Sequence, residues 1–340
     1  MGNLKCGVIG CGYWGPKLAR NIHELPDVDL AWVSDLRQDR LDHLKSLYPE
    51  TRTTMDYRDI LESDVDGVIV ATPVNSHRRL ALEALQAGKH VLVEKPLAAD
   101  VGEAEDIVEE GIKQSRKVMV GHTFEYNPAV QAVRDIIASG ALGEIYYING
   151  TRVNLGLFHP DINVVWDLAP HDVSILRYVL GLDPDEASAR GGVYVQKEKR
   201  IHDVAYLSFF FPNGVLADVR VSWLDPCKIR SYTVVGSKKM LVYDDVEPKD
   251  KVLLFDKGVD LPPHSDTVEE FEISYRNGEP ESYAFTWEEP LKAECSHFVE
   301  CIRNDEEPRS NGEVGLRVVK VLAAAQRSLL NGGTRERVLW

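Results

Sequence analysis

Bases are scarce in this chain of 340 residues: 39 lysines and arginines stand against 54 acids, a formal net charge of −15. A surface of that sign repels phosphate backbones and excludes nucleic acid as a partner, while leaving room for a phosphorylated small molecule where bases concentrate locally. Long apolar runs are missing as well. With no stretch of about 18 apolar residues, no membrane span is expected. The opening Met1-Gly2-Asn3-Leu4-Lys5-Cys6 enters a strand pattern at once, so no signal peptide is expected, and Cys6 stands where myristoylation needs Ser or Thr. Cysteine is sparse: Cys6, Cys11, Cys227, Cys295 and Cys301 show no paired metal-ligand spacing. Cys295-Ser296-His297 and Cys301 share one helical stretch without a partner cluster, so core packing is expected there and a metal is not. Unpaired cysteines fit a reducing compartment, most simply the cytoplasm.

What is present describes a globular chain. Hydrophobic residues at 44% and charged residues at 27% supply sizeable cores, and the length suits two domains. The stretch that organises the first of them is Val91-Leu92-Val93-Glu94-Lys95-Pro96-Leu97. Continuous Val and Leu running into polar residues reads as a buried parallel strand, and its carboxyl end is where open α/β sheets hold ligands. Pro96 stops the ladder and sets the direction in which Lys95 leaves it.

Upstream, a strand at Lys5 to Ile9 meets Gly10-Cys11-Gly12-Tyr13-Trp14-Gly15, and Trp14, Leu18 and Ile22 then recur at helical spacing. A GxGxxG between strand and helix brings pyrophosphate to the helix amino terminus. Asp35 ends the next strand, Leu30 to Ser34. A carboxylate there accepts both adenosine ribose hydroxyls and repels a 2′-phosphate, favouring NAD over NADP, although Arg37 and Arg40 stand nearby. The plainer role for Asp35 is to cap the following helix. Strand and helix go on alternating: Gly67 to Ala71 before Thr72-Pro73, a helix from a Ser76 cap to Gln86, the Glu94-Lys95-Pro96 strand, a helix near Asp100 to Gln114, then Val118 to Gly121. This predicts a doubly wound parallel sheet, a dinucleotide-binding domain over 1–122.

From 123 the pattern changes. His122 to Pro128 reads as a crossover, with Pro128 opening a helix. Ile145 to Val153 reads as a strand, and two antiparallel hairpins follow, one turning at Pro212-Asn213-Gly214 and one at Gly236 to Lys239. Helices near Pro290 to Arg303 and Glu313 to Leu330 close the chain. Residues 123–340 are therefore expected to form an α+β domain on a large, mainly antiparallel sheet. Within it, Asp167 and His171 fall one turn apart on one helix face, with Pro170 expected in the first turn. Arg152, Lys228 and Arg230 are either a local site for diphosphate or carboxylate groups or outward-facing strand residues.

Four motifs together, Gly10 to Gly15, Ala71-Thr72-Pro73 with His77, Glu94-Lys95-Pro96, and Asp167 with His171, resemble the Gfo/Idh/MocA family of NAD(P)-dependent oxidoreductases of sugars, inositols and nucleotide sugars. The resemblance spans essentially the whole chain. It implies a catalytic trio of Lys95, Asp167 and His171 and a cis Lys95-Pro96 peptide. It places NAD against Gly10, Gly12, Tyr13, Trp14, Gly15 and Asp35, and against Thr72, Pro73, His77, Glu94, Lys95 and Pro96. Substrate contacts are implied for Lys95, Tyr126, Asn127, Arg152 and Asn154, and for Trp166, Asp167, His171 and Arg230. Trp166 marks a departure, since many members carry glycines just before the aspartate. His171 is the natural base and Lys95 the donor to the reacting hydroxyl, with the reverse division also open. The expected substrate is a nucleotide-linked sugar oxidised at C3, such as UDP-N-acetylglucosamine or its uronic acid. The alternative is a free sugar or inositol, and a non-catalytic NAD(P) sensor ranks last because Lys95 and His171 are both present. Family members pair through the C-terminal sheet, implying a homodimer or homotetramer.

Overall fold

The computed structural model describes residues 2–260 and 273–340. Its elements run β1 (Leu4–Ile9), α1 (Gly15–Glu24), β2 (Val28–Ser34), α2 (Gln38–Leu47), β3 (Arg52–Thr54), α3 (Arg58–Leu61), β4 (Gly67–Val70), α4 (His77–Gln86), β5 (His90–Val93), α5 (Val101–Gln114) and β6 (Val118–Val120). They continue α6 (Pro128–Ala138), β7 (Ile145–Val153), α7 (Val164–Leu180), β8 (Glu186–Gly192), β9 (Val204–Phe210), β10 (Leu216–Ser222), β11 (Ile229–Gly236) and β12 (Met240–Asp244). Last come β13 (Val252–Asp260), β14 (Ser274–Ser282), α8 (Pro290–Asn304), α9 (Gly312–Leu330) and β15 (Glu336–Arg337). The chain divides into two compact units, Met1–Tyr126 with Glu288–Lys320, and Asn127–Trp287 with Val321–Trp340.

The first unit is built on a six-stranded sheet in the order β3-β2-β1-β4-β5-β6, with every pairing parallel. The chain leaves β1 toward β2 and β3, then returns to β4 on the other side. That reversal is the switch point at which such sheets open a ligand crevice at their carboxyl ends. All of β4 and the Val91-Leu92-Val93 run of β5 are buried, which is why both read as unbroken apolar runs. Expected within the 123–340 domain, α8 instead packs on α1, and Leu291, Cys295, Phe298 and Val299 join Leu18 and Ile22 in one core. A Cβ at Gly67 would lie 3.0 Å from the Phe298 ring. All five cysteines are free thiols; Cys227 alone of them is exposed.

The second unit holds a nine-stranded sheet in the order β14-β13-β12-β11-β7-β10-β9-β8-β15. Only β7 and β10 pair in parallel; the rest are antiparallel. Gly214 closes the β9–β10 turn at φ 87°, a conformation that a side chain would strain. α7 lies against β7, β9 and β10 and beside α6. The expected α7 start is corrected: the helix begins at Val164, where Asn163 accepts from the Val165 and Trp166 amides. Pro170 therefore sits inside the helix, and lacking an N–H it cannot bond the Trp166 carbonyl. Among the described residues, no helix is long and apolar enough to cross a membrane, and no cluster of His, Cys, Asp or Glu is arranged to hold a metal.

Candidate functional site

In the first unit the glycine loop forms a cradle. Gly10 has φ 96°, and a Cβ there would lie 2.6 Å from the Ala71 carbonyl; one at Gly15 would lie 1.9 Å from the Gly10 carbonyl. Gly12 faces open space, its nearest neighbour being Arg40 Nη1 at 4.0 Å from a Cβ position. Tight turn, open approach and close packing are what a pyrophosphate at the α1 amino terminus needs. Tyr13 is exposed and meets Trp14 edge-on, and Lys17 Nζ lies 3.4 Å from the Tyr13 ring centre. The Asp35 carboxylate, 8% exposed, accepts from the Cys11 amide at 2.7 Å, the Arg37 amide at 2.9 Å and Arg40 Nη1 at 3.3 Å. The cap position of α2 is Arg37, so Asp35 ties the end of β2 to the glycine loop and is not the residue that caps α2. These residues fit the adenosine half of NAD.

NAD should therefore bind more tightly than NADP by about 1–3 kcal/mol, the cost of burying unpaired polar groups. Asp35→Ser should narrow or invert that gap, because Arg40 already stands beside the carboxylate. Calorimetric titration of both cofactors checks it; equal affinities in the unaltered protein contradict it.

At the ends of β4 and β5, Thr72 Oγ1 meets Ser76 Oγ at 2.7 Å, and Ser76 turns back to the Pro73 carbonyl instead of capping α4. The Lys95-Pro96 peptide is cis, as the resemblance implied. Lys95 is half-buried and Pro96 buried. Beside them Glu94 is almost enclosed, its carboxylate accepting from the Lys95 amide at 3.2 Å. Burial pushes the Glu94 carboxyl up to about 7, with the Lys95 charge opposing. Glu294 on α8 is buried too, and Thr123 Oγ1 donates to it at 2.6 Å; burial and then the Glu94 charge hold its carboxyl well above the usual range.

Between the ordinary carboxyl value near ~4.3 and 7, native Glu94 keeps a proton that the unfolded chain has released. The native state thus binds more protons, and stability falls as pH rises across that window, by about 3 kcal/mol at about 1.4 kcal/mol per pH unit. Glu94→Gln should flatten that fall in denaturant unfolding followed at both ends of the window. An unchanged pH slope contradicts the assignment.

In the second unit, Asp167 and His171 share one face of α7, one turn apart. Trp223, fully buried just beyond β10, donates its indole N–H to Asp167 Oδ2 at 2.8 Å. His159 Nε2 stands 3.9 Å from the same oxygen, an ion pair whenever the imidazole is protonated. Phe158 and His159 pack on the Trp223 indole at 5.6 and 5.8 Å between ring centres. The Asp167 carboxylate is thereby fixed in place. Trp166 and Asn154 are half-buried, and the Asn154 amide bonds Ser222 at the end of β10. Neither Trp223 nor His159 was singled out by spacing, because each reaches Asp167 only through tertiary packing.

Three of the residues expected to touch substrate are instead built into the interior. Arg152, 3% exposed, gives its Nε to both oxygens of Asp172 at 3.0 Å, and the Tyr232 hydroxyl donates to the same carboxylate. Burial raises the Asp172 carboxyl against the Arg152 charge and the Tyr232 hydroxyl, while the Asp172 charge outweighs burial at Arg152 and keeps the guanidinium charged. Gly150 makes room for this triad, since a Cβ there would lie 2.8 Å from the Tyr232 ring. Asn127 is buried and caps α6 by accepting from the Ala129 amide at 2.9 Å. Tyr126 is buried in the first unit against Ser310 at 3.1 Å. A strand arginine, a residue before Pro and an aromatic look alike in sequence whether they face a ligand or a core. Arg230 remains half-buried, 3.5 Å from Asp245.

Asp172 follows His171 directly, so the triad anchors the helix turn that carries the histidine. Arg152→Met should cost about 3–5 kcal/mol by leaving a buried carboxylate unpaired. Chemical denaturation measures it; a loss below about 1 kcal/mol, the worth of an exposed pair, contradicts the anchoring role.

Residues 4–122 match the oxidoreductase family, NAD-binding Rossmann fold, and residues 130–242 match the GFO/IDH/MocA C-terminal domain. UDP-N-acetylglucosamine 3-dehydrogenase of Acidithiobacillus ferrooxidans is 30% identical over 232 residues, covering 65% of this chain and 68% of that protein. Myo-inositol 2-dehydrogenase of Thermotoga maritima is 26% identical over 348 residues, covering 96% of each. A solved protein of gentamicin A biosynthesis, in complex with NAD, shares the fold with a TM-score of 0.83 at 22% identity, over 100% of this chain and 97% of its own. The chain belongs to the Gfo/Idh/MocA family and is an NAD-binding oxidoreductase, a dehydrogenase of CH–OH groups.

Proposed function

We propose that the chain transfers hydride between NAD and C3 of a nucleotide-linked sugar, such as UDP-N-acetylglucosamine or its uronic acid. The observation that carries the catalytic part is the fixed Asp167 carboxylate with His171 one turn further along α7. Bound NAD supplies the nicotinamide ring as hydride acceptor. His171 takes the hydroxyl proton. Lys95 donates to the same oxygen and stabilises the alkoxide character that develops there. Asp167, held by Trp223, bonds a neighbouring hydroxyl or orients the histidine. Trp166 serves as a pocket wall.

Support for an anionic substrate comes from the 193–203 segment, whose Lys197, Lys199 and Arg200 are exposed and whose Gln196 bonds the His159 carbonyl at 2.8 Å. The similarity to a nucleotide-sugar 3-dehydrogenase points the same way. A second reading, a free inositol, is favoured by the engagement of Arg152 with Asp172 and of Arg230 with Asp245. It also draws on the full-length similarity to an inositol dehydrogenase. As for assembly, the exposed Tyr146, Tyr147 and Tyr206 on β7 and β9 support pairing of subunits through the large sheet. The substrate test is NAD reduction, followed at the reduced-nicotinamide absorbance, with UDP-N-acetylhexosamines, their uronic acids, and myo- and scyllo-inositol. Turnover with a UDP-sugar supports the first reading. Turnover confined to inositols overturns it.

A further inference from the structure

His77 is the first residue of α4 and is 1% exposed. Its Nδ1 lies 3.0 Å from the Pro96 carbonyl oxygen, and its Nε2 lies 2.8 Å from the Thr72 carbonyl oxygen. A carbonyl oxygen can only accept. A neutral imidazole has one N–H, so at one of these two contacts it would present a lone pair to a lone pair at hydrogen-bond distance. The doubly protonated ring resolves both contacts, each then being a charge-assisted bond. We infer that His77 is a buried imidazolium that donates from both ring nitrogens and so positions the turn carrying Lys95.

The two carbonyls belong to different strands' ends. Thr72 follows β4 and Pro96 follows β5, and these strands are parallel neighbours in register Val70 to Val93. The ring therefore ties the Thr72-Pro73 turn to the Glu94-Lys95-Pro96 turn at the ligand-bearing edge of the sheet. The Thr72–Ser76 and Ser76–Pro73 bonds lock the β4 side of the same tie. Three influences oppose the charge. Burial is the largest and pulls the imidazole below its ordinary value, the Lys95 charge acts in the same sense, and the amino-terminal place in α4 adds the helix dipole, so it is the two-carbonyl geometry that argues for the charged ring. The Thr72, Pro96 and Leu97 carbonyls favour it. Glu94, the nearest acid in the Lys95 turn by sequence, stands two residues before Pro96.

Nitrogen-15 NMR of the histidine rings in the complete protein decides the protonation state, with His77 assigned through its bonded side-chain carbons. The expected result is two protonated, imidazolium-type nitrogens at about pH 7.5, where an ordinary histidine is mostly neutral. One pyridine-type nitrogen at that pH overturns the inference. Kinetics decide the positioning role. His77→Phe should lower kcat by roughly 10²-fold, the usual cost of misplacing a reacting group, and by far more than it weakens the calorimetric Kd for NAD. His77→Gln, which keeps donors, should recover part of the rate. Wild-type turnover in His77→Phe overturns the role, as does a loss of NAD affinity matching the loss of turnover. Should His77→Phe not fold, the wild-type spectrum and the Gln variant carry both decisions.

Discussion

His171→Asn is expected to bind NAD as the unaltered protein does and to lose turnover by roughly 10²–10⁴-fold, the usual worth of a positioned general base. The residue lies on α7 in the second unit, outside the glycine loop and outside the β4 and β5 turns, so dinucleotide affinity does not pass through it. Asn is of similar size and polarity, which leaves the Arg152–Asp172–Tyr232 anchor beside it undisturbed. What the substitution removes is an imidazole nitrogen able to take up a proton. A fall in kcat without a change in NAD Kd separates proton transfer from cofactor binding. Loss of both together assigns His171 to the fold.

Lys95→Met should be at least as severe, again with roughly 10²–10⁴-fold lower turnover. Methionine keeps the length and apolar stem but deletes a donor to the reacting oxygen and a positive charge beside it. The charge also bears on Glu94, whose carboxyl Lys95 pulls down against burial. Removing it should raise the Glu94 carboxyl further above about 7, so any activity limb that Glu94 governs should move to higher pH. A Lys95→Met protein with near-normal turnover and an unmoved pH profile contradicts both parts of the argument. If Lys95 rather than His171 is the base, His171→Asn should cost far less turnover than Lys95→Met.

Much of the first unit was legible because parallel strands buried on both faces write themselves as unbroken apolar runs. The run Val91 to Val93 and the glycine loop are read directly, and Asp100 and Pro128 mark helix starts where the structure has them. α8 was legible as a helix but not as part of the first unit. Leu291, Cys295, Phe298 and Val299 say that one face is buried, yet not against what. β14 and β8 were missed for the opposite reason. Ser274–Ser282 is polar and largely exposed, and Glu186–Gly192 is rich in small residues, so neither shows apolar alternation. At the site, local motifs were visible and long-range partners were not. Asp167 is separated by 56 positions from Trp223, and Asp172 by 20 from Arg152. Arg152 misled most, because a basic residue on a strand signals an anion site and a buried ion pair in the same letters.

The most direct test of the central claim joins two measurements on the same preparations of the unaltered protein, His171→Asn and Lys95→Met. NAD binding is measured by calorimetry, and NAD reduction by absorbance in a single turnover with an active sugar or inositol substrate. All three proteins should bind NAD, His171→Asn with unchanged affinity, and only the unaltered one should reduce it at full rate. Near-normal reduction by both variants would mean that Lys95 and His171 do not carry the chemistry.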